Sequence, residues 1–262
     1  MYASRVLFSS NEREWIVFIH GFGGSARTWD SQVDLYAEKY NLLLLDLHKP
    51  ENGKGKLDLM TVARRIALTM ENHGIEKAHF LSASFGSLLA IAFVATHPEK
   101  VISMVMGGGI VCFNLRTSLL LAMARALKNI LPYMWLYRFF AFIIMPRRNH
   151  RKSRGIFVRE AKKLGHREFT RWVDLIPEAK KSKGFIQTVN RLANPPGILY
   201  IMGSQDHLFL REVEKRPLRS ALVHVIPECG HVCFIEKAAE FSALACTFFS
   251  GCRVSFQPGN MV

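Results

Sequence analysis

Phe80-Leu81-Ser82-Ala83-Ser84-Phe85-Gly86-Ser87-Leu88-Leu89-Ala90 decides how the rest of this chain reads. An apolar run, Ala78 to Leu81, meets a Ser-x-Ser-x-Gly pentapeptide, and helical patterning continues from Ser87 to Thr96. Strand, sharp turn and helix in that order lift a serine hydroxyl above a sheet, where it can serve as a nucleophile. So tight a turn demands small residues two before and two after the serine. Ser82 and Gly86 fill those places; glycine is usual at both, which makes Ser82 a departure. The uncharged window Ala78 to Pro98 is long enough to cross a bilayer. Ser82, Ser84, Gly86, Ser87 and two histidines interrupt it, so a buried strand followed by a buried helix accounts for it better.

Working outward, apolar strands alternate with helical patterns. Arg5 to Ser9 gives a short, weakly marked first strand. Trp15-Ile16-Val17-Phe18-Ile19 is a buried strand that runs into His20-Gly21-Phe22-Gly23-Gly24-Ser25, followed by Trp29 and an amphipathic helix to about Tyr40. Asn41 to Asp46 is another strand, with a Gly/Lys-rich loop from Lys49 to Lys56 and a helix from Leu57 to His73 that ends at Gly74. His97-Pro98 closes the helix after Ser84, and Val101 to Met106 leads to Gly107-Gly108-Gly109. Residues 112–194 lack strand alternation and read as helical throughout. Gly197 to Met202 resumes the strands and precedes Gly203-Ser204-Gln205-Asp206-His207. Ala221 to Ile226 is the last strand, before Glu228-Cys229-Gly230-His231 and a final helix from about Phe234 to Phe249. This alternation predicts an α/β fold with a mostly parallel central sheet and helices on both faces. The expected division is a core of 1–111 and 195–250, a helical cap at 112–194 inserted after the sixth strand, and a patternless, disordered tail at 251–262.

A chain of 262 residues, 49% of them apolar, suits one large α/β domain with an insertion. Five cysteines, an odd number at scattered spacing, argue against a disulfide framework and for a reducing cytosol. Met1 to Trp15 has no apolar segment of signal-peptide length, so a cytoplasmic protein is expected. The charge is uneven. Residues 112–194 hold 18 Lys and Arg against 4 Asp and Glu, and the rest of the chain balances at 17 of each.

A serine on such a turn, a later carboxylate after a strand, and a histidine after the last strand make a nucleophile, an orienting acid and a base. Ser84, Asp206 and His231 stand in that order, each at the C-terminal end of a predicted strand, the edge where open α/β sheets bind ligands. Each has a rival. Asp46 also ends a strand but precedes the serine, and a loop-capping role fits it better. Gly107-Gly108-Gly109 leaves no carboxylate before the helical stretch. His207 is expected to be exposed. Cys229 and Cys233 flank His231 without a paired Cys-x-x-Cys or a second histidine at ligand spacing, so no metal site is expected. Gly23-Gly24 is not a phosphate loop, because no Lys-Ser/Thr follows.

Together these stretches resemble the α/β-hydrolase superfamily, in its serine-nucleophile, cap-bearing esterase, lipase and thioesterase-like branch. The resemblance covers most of the chain outside 112–194. His20 to Ser25 with Trp29 is similar to the family's oxyanion loop, and Ser84-Phe85-Gly86 through His97-Pro98-Glu99-Lys100-Val101 to its elbow and following helix. Gly203 to Asp206 looks like its acid loop, and Gly230-His231 with Glu236 and Phe241 like its histidine loop and final helix. The resemblance implies oxyanion donors at the backbone N–H groups of Phe22 and Phe85. It also implies a substrate-side loop at His20, Gly21 and Gly23, with His20 ordering that loop rather than moving a proton. No cofactor and no metal are implied. A serine, rather than an aspartate, at residue 84 disfavours activities like those of haloalkane dehalogenases and epoxide hydrolases. The expected function is hydrolysis of carboxylic esters or thioesters, with an apolar acyl group, through an acyl-enzyme. C–C bond hydrolysis, acyl transfer and a non-catalytic ligand-binding role remain as alternatives.

The helical stretch adds a second pattern. Thr117 to Leu131 has an apolar face broken by Arg125 and Lys128. Leu131 to Pro146 follows with Tyr133, Trp135, Tyr137, Phe139, Phe140 and Phe142 around a single charge, Arg138. Then comes Arg147-Arg148-Asn149-His150-Arg151-Lys152-Ser153-Arg154. Three outcomes fit: a buried lid helix with a solvated basic loop, peripheral contact with an anionic membrane surface, or steering of an anionic substrate. No nucleic-acid module accompanies these cations, so no nucleic-acid partner is expected.

Overall fold

A computed structural model describes residues 2–50, 58–219 and 221–253. Among them seven strands form one sheet: β1 (Tyr2–Leu7), β2 (Trp15–Ile19), β3 (Asn41–Pro50), β4 (Ala78–Ala83), β5 (Val101–Gly107), β6 (Gly197–Gly203) and β7 (Leu222–Ile226). Their order across the sheet is β1-β3-β2-β4-β5-β6-β7. Only β1 runs antiparallel to its neighbour β3; the other pairs are parallel. Helices α1 (Val33–Ala37), α2 (Leu59–Asn72) and α3 (Gly86–Thr96) connect the first strands. Between β5 and β6 come α4 (Leu115–Leu127), α5 (Tyr133–Ile144), α6 (Arg151–Ala161), α7 (Gly165–Leu175) and α8 (Ser182–Asn190). After β6 come α9 (Leu210–Lys215) and, beyond β7, α10 (Cys233–Glu236) and α11 (Ala238–Arg253).

The two-residue period of the strands builds a core on each face. Val17, Phe80, Met104 and Tyr200 point one way, against Ile66 and Met70 of α2 and the side chains of α3. Ile16, Phe18, Leu81, Val105 and Ile201 point the other way, against Trp29, Tyr36 and the α11 residues Phe241 and Phe249. The window from Ala78 to Pro98 is β4 followed by α3; every β4 residue is buried, and so are the α3 residues Gly86 to Val94. Removing a large side chain there would cost about 2–5 kcal/mol. Among the described residues no helix is long and apolar enough to cross a membrane.

The structure corrects several expectations. The first strand is Tyr2–Leu7 rather than Arg5 to Ser9, because the Ser9 and Ser10 N–H groups leave the ladder for Asn41 Oδ1, at 2.8 and 3.3 Å. The helix expected from Trp29 to Tyr40 is a 3-10 turn, Ala26–Trp29, and the short α1. Ser25 caps that turn, its Oγ accepting from the Arg27 N–H at 3.2 Å while its own N–H donates to Thr28 Oγ1 at 3.2 Å, and the buried Gln32 donates to the Phe234 carbonyl at 2.6 Å. The helical segment follows the fifth strand, not the sixth: among the described residues only β1, β2 and β3 precede β4, and β5 leads into α4. The last helix breaks at Lys237 (φ −127°, ψ 50°) and then runs to Arg253, so Gly251 does not begin a tail. The rest of the expected tail, and the Gly/Lys-rich loop from residue 51 onward, lie outside the described residues.

Candidate active site

The parallel register brings the strand ends level. Ile19 pairs with Ser82, Ala83 with Gly107, Gly107 with Ile201, and Gly203 with Ile226. The loops after β2, β4, β6 and β7 therefore open at one rim, although their residues are scattered along the chain.

At that rim Ser84 takes φ +49° on the turn between β4 and α3. Its N–H donates to the Gly107 carbonyl at 2.9 Å, and the Ser87 N–H donates to the Ser84 carbonyl at 2.9 Å. Gly86 lets the turn lie against β2: a Cβ there would stand 2.6 Å from the His20 carbonyl oxygen and 2.8 Å from that of Ile19. Ser82 fits in place of the usual glycine because it is the buried penultimate residue of β4, its Oγ donating to Val105 O at 3.4 Å.

Ser84 Oγ lies 2.7 Å from His231 Nε2, and His231 Nδ1 lies 2.7 Å from Asp206 Oδ2. Asp206 Oδ1 accepts from the backbone N–H groups of Leu208 and Phe209 at 3.2 and 3.1 Å. An acid oxygen facing Nδ1 places the ring proton there and leaves Nε2 free to accept the serine proton. Asp206 and His231 are both buried, and the Phe209 ring centroid stands 4.9 Å from that of His231. The three residues read from the sequence as nucleophile, acid and base are thus within proton-passing reach of one another.

Gly108 secures the histidine loop. It takes φ +56°, and a Cβ on it would be 2.2 Å from the His231 carbonyl oxygen. Glu236 holds the loop from the other side, its Oε2 accepting from the Gly230 N–H at 2.7 Å. Asp46 Oδ1 accepts from the Ala26 N–H at 2.8 Å, the loop-capping role expected of it, and His207 is exposed. Burial raises the thiol pKa values of Cys229 and Cys233. Among the described residues no group of three His, Cys, Asp or Glu stands close enough to hold a metal ion.

The loop after β2 lies beside Ser84. The Gly24 N–H donates to the Gly21 carbonyl at 3.1 Å, and Gly21, Phe22 and Gly23 line a small cleft that Ser84 shares. His20 is placed differently from its expected substrate-side position. Leu47 N–H donates to its Nε2 at 3.0 Å, and its Nδ1 meets the Gly21 carbonyl at 2.8 Å. With both nitrogens engaged by backbone and its ring buried, His20 orders the loop and lines neither cavity beside Ser84.

Above the rim, α4, α5 and α7 enclose a cavity with about 740 Å³ of empty space, part of it open to solvent. Phe22, Ile110, Leu121, Ala124, Phe140 and Val173 are among its walls, with Ser84 and His231 at its floor, and no Lys, Arg, Asp or Glu lines it. Phe85 also lines it, so both residues expected to donate to an oxyanion border this space. Sequence reasoning did not single out the groups that seat Phe22. Tyr137 Oη donates to the Phe22 carbonyl at 3.0 Å, its ring stacks on Phe22 at 6.1 Å, and Phe169 and Trp172 meet Phe22 edge-on at 5.7 and 6.1 Å. The only available signal was a tyrosine hydroxyl on the otherwise apolar inner face of α5. Ser25 Oγ donates to Glu160 of α6 at 3.2 Å, a further tie between the loop and the helical segment.

A family profile described as alpha/beta hydrolase family matches residues 16–244. Over 242 residues the chain is 26% identical to the dihydrolipoyllysine-residue acetyltransferase component of the acetoin cleaving system from Cupriavidus necator. That match takes in 88% of this chain but 62% of the relative, less than two thirds of its length. It is also 26% identical, over 269 residues, to a 2-hydroxy-6-oxononadienedioate/2-hydroxy-6-oxononatrienedioate hydrolase from Klebsiella pneumoniae, covering 91% of this chain and 88% of that one. A carboxylesterase structure from the thaumarchaeon Nitrososphaera gargenis aligns with TM-score 0.78 at 16% identity, over 97% of this chain and 95% of that one. An identity that low shows the fold alone.

Proposed function

The chain belongs to the alpha/beta hydrolase family, and we propose that this member is a serine hydrolase of carboxylic esters or thioesters that carry an apolar acyl group. The observation behind this reading is a hydroxyl, an imidazole and a carboxylate linked by two 2.7 Å contacts at the floor of an uncharged, aromatic-walled cavity.

In the proposed reaction Ser84 Oγ attacks the acyl carbonyl while His231 Nε2 takes its proton. Asp206 keeps the imidazole in the required tautomer and stabilises the imidazolium. The oxyanion accepts hydrogen bonds from the backbone N–H groups of Phe85 and Phe22, and each such donor is worth about 3–4 kcal/mol to the transition state. The N-terminus of α3 adds its positive dipole end. His231 then returns the proton to the departing alkoxide or thiolate, leaving the acyl group on Ser84. Water attacks that acyl-serine as His231 takes its proton; the acyl–oxygen bond to Ser84 then breaks as His231 returns the proton to Ser84 Oγ, and the carboxylic acid is released. Neither cofactor nor metal has a step in this sequence.

We assign residues 112–194 as a cap over a core of 1–111 and 195–250, with α4 to α7 supplying the acyl site. Five cysteines, none of them in a disulfide among the described residues, support a reducing, cytoplasmic setting. The same relay serves C–C bond hydrolysis and acyl transfer. A cavity without Lys or Arg favours an uncharged acyl group over a dicarboxylate.

The test is turnover of p-nitrophenyl esters and matching acyl thioesters of graded chain length. We expect hydrolysis that improves as the acyl chain lengthens to fill the cavity, and its loss in Ser84→Ala and His231→Ala. Absence of turnover across the panel, with dicarboxylate ring-cleavage products consumed instead, would move the assignment to C–C hydrolysis.

A further inference from the structure

The outer faces of α5 and α6 carry side chains that neither the cavity nor the core uses. On α5, Trp135, Phe139 and Phe142 are 65%, 48% and 57% exposed, with Arg138 exposed among them. At about 100° per residue these four share about a third of the helix circumference, opposite the buried or cavity-lining Leu136, Tyr137 and Phe140. Ile130, in the turn before α5, is 73% exposed. An apolar face left in water in this way marks a contact surface.

An open groove runs beside this ridge, lined by Arg138, Arg148, Arg151, Lys152, Arg159 and Lys162. Arg138 belongs to both, so ridge and groove are one continuous surface. The Arg154 guanidinium ties them further, 5.3 Å from the centroid of the Phe142 ring. Three of the four acidic groups of residues 112–194 are committed elsewhere: Glu160 to Lys163, Glu168 to Arg171 and Asp174 to Lys128. Among the described residues none of the six groove cations is paired with a carboxylate. The groove is therefore a concentrated positive field beside exposed aromatic rings.

We propose that this surface docks on an anionic lipid bilayer, with Trp135, Phe139 and Phe142 in the boundary between headgroups and acyl chains and the groove cations over the anionic headgroups. A bilayer matches both halves of the surface: negative at its face and apolar just beneath. An acidic protein matches the charge but offers no apolar phase for three adjoining rings to enter. The inner face of α5 walls the cavity above Ser84, so docking sets that wall against the lipid. Delivery of a lipid acyl group to Ser84 rests on the proposed hydrolase activity; the docking does not.

The experiment is co-sedimentation of the full chain with vesicles of phosphatidylcholine alone or mixed with phosphatidylglycerol, at low and high salt. We expect binding to the mixed vesicles only, weakened by salt. Two variants, Trp135→Ser/Phe139→Ser/Phe142→Ser and Arg148→Glu/Arg151→Glu, should each bind about tenfold or more weakly. Both should keep the wild-type melting temperature and turnover of a soluble short-chain ester. Ser84→Ala should bind as wild type does, so a failure of the hydrolase reading leaves the docking result legible. No sedimentation with mixed vesicles, or folded variants that bind as tightly as wild type, would overturn the proposal. So would capture by soluble polyglutamate with vesicles ignored, which would assign the surface to an acidic protein.

Discussion

At Ser84 the backbone enters the left-handed region, φ +49°, which costs a residue with a side chain about 1–2 kcal/mol. The fold sustains that strain because β4, α3 and the close approach of Gly86 to β2 over-determine the turn. The two candidate acids differ just as concretely. Asp206 faces the His231 ring, whereas Asp46 holds the Ala26 N–H. Asp206→Asn should therefore lower kcat on a short p-nitrophenyl ester roughly ten-thousand-fold. Asp46→Asn should leave kcat within a few-fold and cost about 1 kcal/mol in a thermal melt. Equal kinetic losses would mean the wrong acid had been chosen. Ser84, Asp206 and His231 were legible in the sequence because each closely follows a predicted strand and has a glycine within three residues. The loop-ordering role of His20 was legible too, but not its withdrawal from the substrate side, because its ring direction is set by the N–H of Leu47, a β3 residue that strand patterning does not tie to it. Glu236 was visible, but its bond to the Gly230 N–H depends on how α10 folds back.

At the scale of elements, the helices between β5 and β6 wall the cavity above Ser84. Ala124 of α4 lines the cavity and is buried, so a large side chain there occupies space a long acyl chain would need. Ala124→Trp should shift the preferred acyl length several carbons shorter while p-nitrophenyl acetate turnover stays within a few-fold. An unchanged chain-length profile would place the acyl site elsewhere. Strand periodicity carried the sheet and the bare existence of these helices. It did not carry where they dock, since the cavity side of α5 is fixed by Tyr137 meeting the Phe22 carbonyl, a contact between residues far apart in the chain. Nor did it carry the break at Lys237, because the residues on both sides of it are helix formers.

At the scale of the whole molecule, burial raises several thiols and phenols. It raises the thiols of Cys229 and Cys233 above their ordinary value of 9.0, and the phenols of Tyr36, Tyr137 and Tyr200 above 10.0, while that of Tyr2 is pushed up to about 12. The unfolded chain gives up these protons first. Their contribution to stability is complete below about pH 9 and is lost as pH climbs toward the raised folded values, by up to about 1.4 kcal/mol per group and pH unit. Melting temperature should therefore fall steadily above about pH 9; a flat profile through pH 11 would contradict the burial of these groups. The same global packing brings residues 84, 206 and 231 to one rim, and the claim that this makes Ser84 a nucleophile has a direct test. Wild-type protein treated with a fluorophosphonate should gain one adduct by intact mass, mapped to the peptide containing Ser84, and Ser84→Ala should gain none. An unmodified wild type, or an adduct on any other residue, would contradict the account.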